Sequence, residues 1–154
     1  MINKYRMELD AEKHPVLVKE EEYHYDTEQI DSPKKVVKLV NRVFRLKHLA
    51  EEHVVMIAFD SKSHPVGVFS VSQGNVNTAM CSPRETYIRA LSVGAEHIIV
   101  CHNHPSGDPR PSDVDVKIAR KLREAGKLLD IRLEDFLIVG GEQYYSAIEE
   151  GLLA

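Results

Sequence analysis

The chain lacks the features that would mark it as secreted, membrane-spanning or modular. Its 154 residues include two cysteines, Cys81 and Cys101, which lie in different segments and form no CxxC. That excludes a disulfide scaffold, and reduced thiols are expected. No apolar run approaches the roughly 18 residues a membrane span requires, and the N-terminal stretch interleaves charge where a signal peptide needs an apolar core. The expectation is a soluble, cytoplasmic protein without membrane contact. No internal repeat, low-complexity tract or Pro/Gly/Ser linker divides the chain. Positive charge is not in excess either: 20 Lys and Arg face 24 Asp and Glu, a net charge of -4, which argues against a general nucleic-acid binder.

What remains is ordinary globular composition, 43% apolar and 29% charged, in a length that suits one domain. Such a chain buries roughly 68 to 70% of its unfolded surface, so it needs no metal merely to stay folded, and a metal found here serves chemistry. Composition shifts once. Residues 8 to 31 carry Glu8, Asp10, Glu12, Glu20, Glu21, Glu22, Asp26, Glu28 and Asp31 against only Lys13 and Lys19. This reads as an acidic N-terminal arm over residues 1–30, with a strand around Val16 to Val18, ahead of a domain over residues 31–154.

Ser32 as N-cap and Pro33 at the first helical position open a helix with Val36, Val37, Val40, Val43 and Phe44 as its apolar face. The run VVMIAF, residues 54 to 59, is continuous and rich in β-branched residues, which predicts a strand covered on both faces. Residues 65 to 72, ending at Gln73-Gly74-Asn75, read as its hairpin partner. Ser82-Pro83-Arg84-Glu85 is a capping box that predicts a second helix with Tyr87, Ile88 and Leu91 inward and a stop at Gly94. A short strand from His97 to Cys101 leads into a loop, His102 to Pro111. Ser112 then opens a third helix, with Val116, Ile118, Ala119 and Leu122 inward and Gly126 past its end, before a last strand at residues 136 to 141. Helices alternating with buried strands give the α/β class, with helices covering a mixed sheet.

The most specific feature is His102-x-His104 followed by Ser112-x-x-Asp115. In extended chain, residues i and i+2 face one side, so both imidazoles can converge while Asn103 turns away. Asp115 sits one turn into the next helix. Two imidazoles and one carboxylate form a three-ligand set suited to catalytic zinc, leaving a fourth position for water, whereas magnesium and calcium prefer all-oxygen shells. Copper and iron stay open. Each residue also has a plainer reading: a histidine pair can be a hydrogen-bonded surface feature, and Ser112 with Asp115 can be no more than a helix cap. The conjunction favours a site, because a loop with several prolines, a glycine and no apolar anchor has no evident packing purpose. Cys101 abuts His102, but alternation points it to the other face as a buried thiol.

Pro83-Arg84-Glu85, the run HNHPSGDPRPSDVD over residues 102 to 115, and the ending Gly151-Leu152-Leu153 together resemble the RadC branch of the JAB/MPN (JAMM-motif) metalloprotease-like domains. The similarity runs from about Glu52 to the C-terminus. It implies a JAB/MPN-like three-layer arrangement, a mixed curved β-sheet packed between helices. It also implies one Zn2+ per chain held by His102, His104 and Asp115, with Ser112 assisting at the developing oxyanion and an upstream glutamate as general base. Glu52 fits that role, one residue before the buried strand and eight before Asp60, as in the family pattern. Glu51 is the rival, and a solvated charge is the plainer reading for either. The implied reaction is hydrolysis of a peptide or isopeptide amide bond. One departure stands out: Asp135 matches the family's Leu-Asp-His pattern, but Phe136 replaces the histidine, and a contact at the site or with substrate is expected to be lost. Longer RadC proteins resemble one another in an N-terminal helix-hairpin-helix region, which is not expected here.

Two other readings compete. Lys34, Lys35, Lys38, Arg42, Arg45 and Lys47 have no acidic residue between them and could meet DNA phosphates weakly, although a solvated helix face explains them too and no aromatic stacking platform accompanies them. A catalytically silent scaffold of the same fold is the third. Oligomeric state has no sequence signature here.

Overall fold

Consecutive residues of β3 (His53–Phe59) point to opposite faces of one sheet, and Val54 through Phe59 are all buried. A strand with no polar face must be covered on both sides, and this requirement sets the layering. In the computed structural model, which describes residues 1–25, 30–74 and 81–153, Val54, Met56 and Ala58 pack with residues of α2 (Pro83–Ser92) and α3 (Asp113–Leu129). Val55, Ile57 and Phe59 pack with Val36, Leu39, Val40 and Val43 of α1 (Pro33–Phe44). The result is the expected three-layer α/β arrangement, with one helix on one face of the sheet and two on the other.

Seven strands form the sheet in the order β2-β1-β4-β3-β5-β6-β7. They are β1 (Ile2–Leu9), β2 (Pro15–Tyr23), β3, β4 (Pro65–Gln73), β5 (His97–Asn103), β6 (Arg132–Gly140) and β7 (Gln143–Ser146). β3 pairs antiparallel with both β4 and β5, while β5 and β6 run parallel, joined through α3. The parallel pair places the C-terminal end of β5 beside the N-terminus of α3, where the two histidines meet Asp115.

The N-terminal segment is more ordered than its charge suggests. It is a β1–β2 hairpin whose first strand adds to the sheet in parallel with β4, through Lys4 opposite Val68 and Tyr5 opposite Phe69. The turn is closed by Asp10, whose Oδ1 accepts from the backbone N–H groups of Glu12 and His14, both at 2.9 Å. Ile2 is buried and Tyr5 lies on Phe69 with ring centroids 5.8 Å apart. Gly67 leaves room for that ring, since a Cβ there would lie 3.1 Å from it. The strand expected around Val16 to Val18 lies within β2, and the carboxylates sit largely on exposed strand positions, which is why charge density alone suggested an arm rather than a hairpin in the sheet. Asp26, Glu28 and Asn75 lie outside the described residues.

Ser32, Ser82 and Ser112 cap the three helices as expected, each accepting from the backbone N–H three residues on. Four details differ from expectation. Strand β5 continues to Asn103, because its pairing with β6 extends to Asn103 opposite Val139, so the loop begins at His104. Gly126 lies inside α3, which ends at Leu129 with Asp130 in the left-handed conformation. It serves close packing there, since a Cβ would lie 2.3 Å from the Ile131 carbonyl oxygen and 2.5 Å from the Tyr87 hydroxyl. Leu91 is exposed, and the inner face of α2 is instead Thr86, Tyr87 and Ala90. The final strand starts at Arg132 and is followed by β7, whose mixed residues Gln143 to Ser146 gave no signal alone. Among the described residues no helix is long and apolar enough to cross a membrane.

Candidate metal centre

β5 supplies His102 on its α3-facing side, with Cys101 on the α1 side, fully buried as a free thiol. Burial pushes the Cys101 thiol well above its ordinary value, which keeps it protonated and inert. His102 is itself fully buried, with Phe136 of β6 at 5.6 Å between ring centroids. Phe136 thus forms an apolar neighbour of the first histidine. His104 follows at the mouth of the loop, its ring 4.8 Å from that of His102 and nearly perpendicular to it at 72°.

Asp115 approaches both rings from the first turn of α3 and is 3% exposed. Its Oδ1 lies 3.0 Å from His102 Nε2 and its Oδ2 lies 3.1 Å from His104 Nε2. Ser112 and Asp115 also complete a reciprocal cap: the Ser112 N–H donates to Asp115 Oδ2 at 2.8 Å, and the Asp115 N–H donates to Ser112 Oγ at 3.1 Å. Burial alone would raise the Asp115 carboxyl, but hydrogen bonding and charge from His102 and His104, with the Ser112 N–H, hold it well below the usual carboxylate range. The helix N-terminus also favours negative charge at this position. Ser112 Oγ is committed as an acceptor, which leaves its O–H as a donor.

The two histidine contacts indicate what the site can hold. His104 Nδ1 lies 2.8 Å from the Asp108 carbonyl oxygen, which can only accept, so Nδ1 carries the hydrogen. In the neutral ring Nε2 is then a bare lone pair, facing an ionised carboxylate oxygen at 3.1 Å. Two acceptors do not face each other in a dry site without a cation between them. A proton can serve, and the hydrogen bond to Asp115 accordingly raises the His104 pKa against the effect of burial, with the Asp108 carbonyl assisting. A metal ion can serve equally well. His102 Nε2 is buried 3.0 Å from Asp115 Oδ1 while its Nδ1 has no hydrogen-bond partner among the described residues, so this ring can either point its Nε2 hydrogen at the carboxylate or offer Nε2 to a cation. Two imidazole nitrogens and a carboxylate held together in this way are donor types that zinc takes. The residues present fit a zinc-type ion.

Glu52 joins from the other neighbouring strand. Val54 pairs with His102, and residues 52, 54 and 56 share one face by alternation, so Glu52 points to the imidazole side. One carboxylate oxygen of Glu52 and one ring nitrogen from each of His102 and His104 all lie within 4.8 Å of one another, so among the described residues these three form a group that could hold a metal ion. Glu51 is exposed on the opposite parity, where its carboxylate accepts from Gln73 Nε2 at 3.3 Å. The expectation that only one of the two faces inward holds, and it is Glu52.

Asn103 turns away from the histidines, as alternation requires, but has a task that its position in sequence did not reveal. Its Oδ1 accepts from the His53 N–H at 2.7 Å and its Nδ2 donates to the Glu51 carbonyl at 3.0 Å. These bonds tie down the backbone on both sides of Glu52. Asp135, beside Phe136, lies away from the centre. It accepts from the Phe136 and Ile148 N–H groups and the Ser146 hydroxyl, and burial raises its pKa against those bonds. It fixes β6 to β7 and the C-terminal turn.

Comparison with known proteins matches residues 30–152 to the family model described as a RadC-like JAB domain. A UPF0758 protein of Clostridium acetobutylicum is 39% identical over 84% of this chain and 56% of its own length. UPF0758 proteins of Desulfitobacterium hafniense and Clostridium novyi are 36% and 39% identical, each over 80% of this chain and 54% of their own length. The chain thus spans about half the length of these relatives.

Proposed function

The chain belongs to the RadC-like JAB domain family, and from that premise we propose that it is a zinc-dependent hydrolase of amide bonds, in peptides or isopeptides, with one zinc ion per chain. The observation that carries the proposal is the convergence of His102 Nε2 and His104 Nε2 on the ionised Asp115 carboxylate, with the His104 hydrogen held on Nδ1 and Glu52 beside them on the same face. His102, His104 and Asp115 would hold the ion. When bound there, zinc supplies Lewis acidity, polarising a substrate carbonyl and making a water acidic near pH 7. Glu52 is the general base: its carboxylate takes the proton of the attacking water and delivers it to the leaving amine nitrogen. The Ser112 hydroxyl donates to the oxyanion that develops on the carbonyl oxygen. Phe136 keeps water from the inner side of His102, which strengthens the electrostatic interactions at the centre.

Metal content of untagged protein tests this directly. The wild type is expected to carry close to one zinc per chain, and His104→Ala and Asp115→Ala to lose it while remaining folded. Stoichiometric zinc in a His102→Ala/His104→Ala double variant would overturn the site. Hydrolysis is then assayed on a mixed peptide pool by mass spectrometry, with Glu52→Gln as the control that should be silent.

A second reading concerns polyanions. Lys35 is paired with Asp31 at 2.9 Å and Lys47 with Glu142 at 3.0 Å. Lys34, Lys38, Arg42 and Arg45 are exposed along α1 and its C-cap, with no ion pair among the described residues. Helical rise sets the first three about 6 Å apart, near the spacing of phosphates on an extended strand. Contact with DNA through this stripe is weak and salt-dependent, with no base readout. Fluorescence anisotropy should give a log K against log salt slope no steeper than about -3.6 for four phosphates on duplex. Tight, sequence-dependent binding at physiological salt contradicts it.

A further inference from the structure

We propose that Gly140 is a positioning residue of the metal centre: its missing side chain seats the loop backbone that fixes the proton of His104. The inference rests on the metal-centre reading above. Gly140 ends β6, and it is buried beneath the loop that follows His104. A Cβ at this position would lie 2.7 Å from Pro109 N, 2.8 Å from the Gly107 carbonyl oxygen and 3.0 Å from the Asp108 carbonyl carbon. All three neighbours are backbone atoms, so none can rotate aside as a side-chain tip would. The last is the carbon of the carbonyl whose oxygen accepts from His104 Nδ1 at 2.8 Å.

A chain of contacts therefore runs from the end of β6 to the first coordination position. The His104 N–H donates to the Val139 carbonyl at 2.8 Å, which sets where the loop departs from the sheet. The Gly107 N–H returns to the His104 carbonyl at 3.0 Å, closing a turn. Beyond it Arg110 clamps the Asp108 carboxylate, with Nε at 3.0 Å and Nη2 at 2.6 Å, which leaves the Asp108 main-chain carbonyl free to face the imidazole. The loop has no apolar anchor of its own, so it lies where β6 lets it lie. With Gly140 the Asp108 carbonyl reaches Nδ1, the hydrogen is held on Nδ1, and Nε2 is left as the donor toward the metal. With any side chain at 140 the loop must lift, and the ring loses the bond that chooses its tautomer and orientation. Partners of this kind typically govern metal affinity by 10- to 100-fold.

The experiment compares zinc affinity, by competition with a chromophoric chelator, among wild type, Gly140→Ala and Gly126→Ala. Gly126→Ala is the control for general packing damage, since its clash lies 11 residues along α3 from Asp115. The proposal expects Gly140→Ala to stay folded by circular dichroism and to bind zinc roughly 10- to 100-fold more weakly, with Gly126→Ala binding as the wild type does. Unchanged affinity in Gly140→Ala, or an equal loss in Gly126→Ala, overturns it. Should Gly140→Ala fail to fold, the ring 15N spectrum of the zinc-loaded wild type decides: a protonated Nδ1 and a metallated Nε2 at His104 support the proposal, and the reverse assignment overturns it. If the wild type binds no zinc at all, the metal-centre reading fails, an outcome distinct from intact zinc binding that ignores residue 140.

Discussion

Asp115 lies in two structures at once, a helix cap and a histidine cluster, and substitution separates them. Ser112→Ala removes only the bond from the Asp115 N–H to Ser112 Oγ, because the reciprocal donor is the Ser112 backbone. Loss of such a cap costs about 1 kcal/mol, which for a chain of this length lowers Tm by about 2 to 4 °C. Asp115→Ala keeps that bond but removes the ionised acceptor of the Ser112 N–H, and a hydrogen bond to a charged group is worth roughly 1.5 to 3 kcal/mol. In the metal-free state both variants should therefore melt below the wild type, Asp115→Ala further. Zinc should then divide them. At a free concentration 100-fold above Kd, a ligand that binds only the folded state adds about 2.7 kcal/mol, or roughly 5 to 11 °C in Tm on the same scale. The wild type and Ser112→Ala should show the full rise, and Asp115→Ala should show none. Differential scanning calorimetry of chelator-treated protein, repeated across a zinc titration, measures both effects. A full zinc-dependent rise in Asp115→Ala would refute the ligand role, and equal metal-free melting of Ser112→Ala and wild type would refute the cap.

Glu52→Gln keeps size and polarity but removes proton acceptance, so zinc should remain while hydrolysis falls roughly 10²- to 10⁴-fold. Glu51→Gln, on the solvent side, should retain both, and equal losses in the two variants would reject the parity argument. Asn103→Ala leaves the His53 N–H and the Glu51 carbonyl without their partner, so denaturant titration should find it about 1 to 3 kcal/mol less stable; an unchanged midpoint would contradict this. His97 is buried against Phe59, with ring centroids 5.0 Å apart, and burial lowers its pKa despite the opposing pull of Glu134. The folded state thus resists a proton that the unfolded state accepts below about 6.5. The stability present above that pH is lost as pH falls through the folded pKa. His97→Gln should flatten this acid slope in chemical denaturation, and an identical slope would exclude His97 as its source.

The layering of the fold was legible because burial on both faces leaves a composition that only a central strand satisfies, as in VVMIAF at residues 54 to 59. Helix starts were legible for a local reason: Ser32, Ser82 and Ser112 satisfy backbone donors within their own first turn. Helix ends were less so. Gly126 looks like a stop, yet it leaves room for the Ile131 carbonyl and for Tyr87 of α2, the latter a contact between segments distant in sequence. The N-terminal hairpin was hidden for a related reason. Its carboxylates occupy the solvent side, and the few anchors that hold it, Ile2 and Tyr5, acquire meaning only against Phe69 on another strand.

At the site, side-chain chemistry could be read and backbone chemistry could not. The His-x-His period and the Ser-x-x-Asp spacing are written in residue types, and they bring together the atoms expected of them. Helix cap and proposed ligand are compatible readings of Asp115. The Ser112 N–H takes Oδ2 from one side, which fixes the carboxylate plane so that both oxygens face imidazole nitrogens. The cap thereby sets the carboxylate in the position that the proposed ligand role requires. The orientation of His104 belongs to a different category. It depends on the Asp108 carbonyl, which any residue at 108 would possess, and on space left at Gly140, which reads in sequence as an ordinary strand end. Neither leaves a residue-type signature. Both follow only once β5 and β6 are set side by side and the loop from β5 to α3 packs over the end of β6.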